Sequence, residues 1–253
     1  MPFSPFTRLY RRVRRLLVHY REGLAVAVHG NRIARRTDFA RGEVSRPVLL
    51  LPGFGSTRRS LVVLEKRLRA DGFDVFSIRI GGAFGTLNTR RIEPIARDVQ
   101  RKIRSLRARF QLGRIAIVGH SKGGLIGRYV VSCLAGADDI HTLITLGTPH
   151  QGFSREQVVR ITPLAFAMPS VRQMRSTSRF FVALAAAPVP AAVTCVSIAS
   201  PNDRVAPLSC CQWQAPHGEA TPLNIEVAGL THTDYLIKRR AYEMIRMYLG
   251  NRD

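Results

Sequence analysis

Acidic residues are scarce in this 253-residue chain: 17 Asp and Glu stand against 39 Lys and Arg, a formal net charge of +22. That balance disfavours cationic partners and favours encounters with phospholipid, nucleic acid, lipopolysaccharide or acidic substrates. GC-rich coding also enriches arginine, so the charge informs encounters and solubility, not the reaction. No apolar run approaches the ~20 residues that a membrane-spanning helix requires. Cysteine is rare too, with four residues. Cys210 and Cys211 are adjacent and badly placed to bond to one another, Cys195 sits inside the apolar run AAVTCVSIA, and Cys133 lies in a helix-like stretch. Neither a disulfide framework nor a zinc spacing is present, and a reducing compartment is the simpler expectation. No metal and no cofactor is expected. A recognisable nucleic-acid module and an aromatic-interleaved basic stripe are also missing, so no nucleic-acid partner is expected.

What is present divides at about residue 45. Residues 1–44 form a basic extension whose Leu9, Val13, Leu16, Tyr20 and Leu24 follow helical spacing, with Arg8, Arg11, Arg12, Arg14, Arg15 and Arg21 between them. This segment has neither the apolar stretch of about 7–15 residues nor the small-residue cleavage site of a secretory signal. Three readings stay open for it: a helix lying in an anionic membrane surface, a helix docked on the body or a partner, or a basic arm. The first is favoured slightly, giving an expected location in the cytoplasm, peripheral on the inner face of a membrane.

Residues 45–253 alternate strand and helix patterns. PVLLL (47–51), DVFSIRI (74–80), RIAIV (114–118), HTLITL (141–146), TCVSIA (194–199) and NIEVAG (224–229) read as strands. Helices are expected at 61–70, at 93–109 on the steps Ile92, Ile95, Val99, Ile103 and Leu106, at 125–134, and as one closing helix from Asp234. Such alternation predicts an α/β domain with a mostly parallel sheet covered on both faces. Residues 153–190 break the rhythm with Ala, Phe, Pro, Met and Val but no clean strand spacing. A small apolar cap inserted over a site is expected there.

The chemistry is signalled by GHSKGG, residues 119–124, directly behind the strand RIAIV. Glycines two before and two after Ser121 allow a sharp turn that lifts its hydroxyl clear of the sheet. A nucleophilic serine needs a base, an acid that orients the base, and donors for an oxyanion. In an α/β sheet these come from loops at the carboxyl ends of strands. Asp203 follows TCVSIA in SPNDRVAPL, and His232 follows NIEVAG in LTHTDYL. Ser121, Asp203, His232 is the chain order that α/β-hydrolases use. His217 is the second choice as base, and His150 is a candidate to line the pocket. His120 and His141 are not expected to face Ser121, and Asp138 and Asp139 precede a strand at the wrong end of the sheet. The oxyanion donors expected are the amides of Lys122, after the nucleophile, and of Phe54, in the loop PGFGS where Gly53 permits close approach.

The motifs VLLLPGFGST, IVGHSKGG, LITLGTPHQG, SPNDRVAPL and GLTHTDYL together resemble a bacterial lipase or esterase of the α/β-hydrolase superfamily, of the triacylglycerol-lipase and inositol-deacylase branch. The resemblance spans roughly residues 45 to 250. It implies Ser121 as nucleophile, His232 as general base, Asp203 as its orienting acid, and a lipid or other hydrophobic ester as substrate. Pro52 stands where many lipases carry His, and Lys122 where they often carry Met or Gln; its charge is expected to favour acidic neighbours. Asp234 matches the place of an aspartate that holds calcium in some secreted lipases, but no partner aspartate accompanies it. The rival readings are a phospholipase, thioesterase or acyltransferase using the same residues, or a non-catalytic, membrane-associated binding protein.

Overall fold

The structure is a computed structural model that describes residues 45–250 apart from 79, 81–86, 135, 158–167 and 217–219. The basic extension 1–44, His217 and the middle of the 153–190 insertion lie outside the described residues.

Six strands, β1 Pro47–Leu51, β2 Asp74–Ser77, β3 Ile115–His120, β4 Ile140–Leu146, β5 Thr194–Ala199 and β6 Leu223–Glu226, form one sheet in the order β2-β1-β3-β4-β5-β6. Every pairing is parallel. The central strands are continuous apolar runs because both of their faces are covered. Successive residues serve opposite cores: Leu49, Leu51, Ile115 and Ile117 pack with α2 Ile92–Phe110 and α3 Lys122–Cys133, whereas Val48, Leu50, Ala116 and Val118 face the other way. There they meet α1 Val62–Ala70 and α8 Arg239–Gly250. α2 is the clearest product of pattern, burying Ile92, Ile95, Ala96, Val99, Ile103, Leu106 and Phe110 at steps of one to four. Each such side chain contributes about 1.5–3 kcal/mol on burial.

The sequence reading needs four local corrections. β2 ends at Ser77 and β6 at Glu226, both shorter than expected. β3 runs through His120, and α3 starts at Lys122 instead of 125. Gly123 and Gly124, which read as a turn, are in fact the first turn of that helix. The expected closing helix is two: α7 Asp234–Ile237 and α8, separated by extended Lys238 (ψ 136). The break lets Tyr235 pack against Gly147 and near the His120 ring while Tyr242 reaches the end of α1, where its hydroxyl meets the Arg67 carbonyl at 3.1 Å and Asp71 at 2.6 Å.

The strand order places a topological switch between β1 and β3, whose outgoing connections run to opposite sides. Crevices of α/β sheets open at such a point, beyond the carboxyl ends of the strands. Between β5 and β6 the chain forms the short α6 Leu208–Cys211, and between β4 and β5 the insertion carries α4 Pro169–Gln173 and α5 Arg179–Ala186. This insertion is pinned to the body at two places, and its start is tied to its middle at a third. Gln173 Oε1 accepts the Ile92 amide at the start of α2 (2.7 Å), satisfying a donor that α2 cannot satisfy itself. Phe153 and Met174–Ser176 exchange backbone hydrogen bonds of 2.8 and 3.0 Å. Arg128 of α3, fully buried, donates to the carbonyls of His150 and of Leu184 in α5, each at 3.0 Å.

Candidate active site

Ser121 sits between β3 and α3 with φ 53 and ψ −121, a conformation that L residues rarely adopt. Its backbone is held from the end of β4, the loop after it and the first turn of α3. The Ser121 amide donates to Leu146 at the end of β4 (2.8 Å), and its carbonyl accepts from Thr148 Oγ1 and the Gly124 amide, each at 3.0 Å. The glycines around it serve close approach. A Cβ on Gly123 would lie 2.3 Å from the Leu51 carbonyl oxygen, one on Gly119 2.6 Å from the Gly123 backbone, and one on Gly124 2.1 Å from Thr148 Oγ1. Strain at one residue therefore persists because its neighbours leave it no alternative.

Asp203 and His232 meet across the ends of β5 and β6, with His232 Nδ1 2.8 Å from Asp203 Oδ2. The carboxylate is buried and its second oxygen accepts the amides of Val205 and Ala206, each at 2.9 Å. An acid held by three donors cannot swing away from the ring. The two loops are also tied together: Ser200 Oγ accepts the Leu230 amide (3.2 Å) and Asn202 Oδ1 accepts the Gly229 amide (2.7 Å). Asp234 Oδ2 accepts the Thr231 amide at 2.9 Å and closes the turn that carries His232. No cluster of three metal-ligating side chains exists among the described residues.

Ser121 and His232 share the wall of a cavity of ≈ 260 Å³ with Gly53, Phe54, Phe153, Val171, Met174, Val205 and Leu236. The Ser121 hydroxyl makes no hydrogen bond to a described residue, a looseness common before substrate binds. Phe54 stands on the cavity wall, and Lys122 is the first residue of α3. Neither amide is used in a hydrogen bond to another described residue. A Cβ on Gly53 would lie 3.0 Å from His120 Nδ1, so glycine there lets the loop after β1 lie against the elbow. The N-terminus of α3 adds the positive end of a helix dipole at the same spot.

Three expectations fail. The Lys122 side chain does not face acidic neighbours. It is buried, donates to the Asn88 carbonyl at 3.3 Å and to the Arg90 carbonyl, and lies 5.7 Å from the centre of the Phe54 ring. Burial, with Arg90 nearby, lowers its pKa to about 7. His150 does not line the cavity; it stacks on Trp213 at 4.5 Å between ring centres and bonds Thr145 Oγ1 at 2.9 Å. His120, dismissed from its position in the turn, does line the cavity. Its Nε2 donates to the His232 carbonyl at 2.8 Å and its ring lies 4.7 Å from that of His232. Burial, then the neighbouring His232, lowers its pKa to about 3, so it is a neutral brace for the His232 loop. Thr148 and Asn88 were not recognised as site residues at all, although the GTP of LGTPHQG carries the first of them.

The sequence profile of the palmitoyl protein thioesterase family matches residues 47–207, from β1 to just past Asp203. The chain belongs to this family. It is a hydrolase acting on esters, of the thioesterase and esterase class, and hydrophobic esters are the substrates the family implies. Comparison with curated protein sequences finds no significant match. Among solved structures, the mature lipase of Bacillus licheniformis is similar with a TM-score of 0.62 at 15% identity, over 82% of this chain and 93% of that one. Aspergillus fumigatus lipase B gives 0.66 at 17% identity, over 85% of this chain and 55% of its own. A thermophilic esterase from Thermogutta terrifontis gives 0.53 at 17%, over 82% and 90%. At such identities the likeness establishes the α/β-hydrolase fold of this thioesterase-family chain and leaves the reaction to its site.

Proposed function

We propose that this chain hydrolyses esters or thioesters of hydrophobic acyl groups through an acyl-enzyme on Ser121. The observation that carries the reading is the His232–Asp203 pair at 2.8 Å beside a serine in a left-handed turn on one apolar cavity wall. His232 takes the Ser121 proton as the oxygen attacks the acyl carbonyl, and Asp203 holds the ring with Nδ1–H turned toward it. The amides of Phe54 and Lys122 receive the developing oxyanion, helped by the N-terminus of α3. As the carbon–oxygen or carbon–sulfur bond breaks, His232 returns the proton to the leaving group. Water, activated by the same imidazole, then releases the acid. Phe153, Val171, Met174 and Leu236 make the acyl side of the cavity apolar. Family membership favours a thioester leaving group beside the oxygen ester.

The test is turnover of p-nitrophenyl esters from C2 to C16 and of matched acyl thioesters, by the wild type and by Ser121→Ala, with a fluorophosphonate label located by mass spectrometry. Turnover and labelling at Ser121, both lost in the variant, are expected, with longer acyl chains preferred to acetyl. A wild type that neither turns over nor labels sinks the reading.

A further inference from the structure

The side chain of Lys122 has no place in the mechanism above, yet burying an amine without an acidic partner is costly. Among the described residues no carboxylate pairs with it. Its partners are two backbone carbonyls and one aromatic face.

Those partners belong to the loop that supplies the second oxyanion donor. Asn88 is the hub. Its carbonyl accepts from Lys122 Nζ and from the Gly55 amide (3.1 Å), its amide donates to Ser56 (3.1 Å), and its Nδ2 donates to Pro52 (2.8 Å). Residues 52–56 are thereby gripped on both sides of Phe54 by one buried residue, itself gripped by Lys122. The Lys122 stem begins one residue after the nucleophile, so a single side chain ties the elbow to the opposite wall of the oxyanion site. Its charge also sits against the Phe54 ring, next to the amide that receives negative charge.

We propose that the Lys122 ammonium is a positioning residue of the oxyanion site: with Asn88 it fixes the loop carrying Phe54, and its buried charge favours the tetrahedral intermediate over the bound ester. Buried charge acts strongly because little solvent screens it. The inference rests on the acyl-enzyme reading. Among the described residues the charged group that opposes it is Arg90, whose guanidinium is itself paired with Asp98 at 3.0 Å. The other described groups that meet the amine are the Asn88 and Arg90 carbonyls and the Phe54 ring.

The test compares wild type, Lys122→Met and Asn88→Ala on one ester, with a trifluoromethyl ketone that forms a hemiketal oxyanion on the serine. Lys122→Met keeps the backbone amide and much of the stem. Its kcat should fall about tenfold to a hundredfold with KM nearly unchanged, and the ketone should weaken by the same factor. The wild type should lose kcat/KM as pH rises through about 7, where the amine gives up its charge, and Lys122→Met should lack that alkaline limb. Asn88→Ala should lose kcat and ketone affinity but keep the limb, which separates loop placement from charge. If Lys122→Met does not fold, the wild-type limb and Asn88→Ala decide. A folded Lys122→Met with wild-type kcat, ketone affinity and pH profile overturns the proposal. That outcome leaves the acyl-enzyme reading standing, because wild-type labelling of Ser121 tests it separately.

Discussion

The two halves of the site are built on different principles. The proposed acid–base half is made of side chains from consecutive strand ends, Asp203 after β5 and His232 after β6, joined directly and laced together by Ser200 and Asn202. In the proposed mechanism the oxyanion half is made of backbone amides, and its accuracy depends on groups set back from the reacting atoms: Asn88, the Lys122 side chain and the glycines at 119 and 123. One half fails when a functional group is removed, the other when a shape is lost.

Asp203→Asn breaks the first half most completely. The amide cannot hold the imidazole in the required tautomer, and kcat should drop by about 10⁴-fold with the fold intact, as steady-state kinetics and circular dichroism together would record. Gly123→Ala attacks the second half by shape. A methyl 2.3 Å from the Leu51 carbonyl oxygen forces β1 and α3 apart, which should cost about 1–3 kcal/mol and roughly 10²-fold in rate. Thermal unfolding beside kcat would separate the two effects, and an unperturbed Gly123→Ala would refute the account of the elbow. Ser200→Ala removes one of the two ties between the Asp203 and His232 loops, together with the bond that its Oγ accepts from the Asn202 amide. It should cost about 1 kcal/mol in urea denaturation and less than about tenfold in kcat.

The halves also differ in their response to pH. The folded state lowers the Lys122 pKa to about 7, below the free-lysine value of about 10.4. Below about 7 the amine is charged in both folded and unfolded chains and the full burial penalty applies. Between those values the unfolded chain binds more proton, so stability rises with pH, and above them the penalty is gone. The urea midpoint should climb across that window in the wild type and much less in Lys122→Met. His120 is lowered to about 3, so its corresponding rise falls between about 3 and 6.5 and should vanish in His120→Asn.

Legibility in the sequence follows the same division. Ser121, Asp203 and His232 are legible as candidates because each follows a strong strand pattern and sits among Gly, Pro, Asn or Thr. The alternation of strands and helices gave the α/β architecture for the same reason. Asn88 carries no such signal, being an ordinary loop asparagine whose partners at 52, 55, 56 and 122 are more than 30 residues away. The Lys122 side chain was misjudged because a lysine reads as solvent-exposed unless tertiary structure buries it. His120 was misplaced because strand alternation does not reveal a ring folded under a loop 112 residues on.

Arg128 sets the character of the cavity. It grows from the helix that begins at the nucleophile and holds the carbonyls of His150 and Leu184, with its guanidinium over Trp213 at 5.2 Å. Swinging α5 away would strip an acceptor from a buried cation, at about 1.5–3 kcal/mol for the hydrogen bond alone. Together with the Gln173 tie to α2, that makes the described part of the insertion a fixed gauge instead of a hinged door. Redirecting the enzyme to longer or shorter acyl chains is then a matter of re-cutting Val171, Met174 and Phe153, one side chain at a time, on a frame that stays where it is.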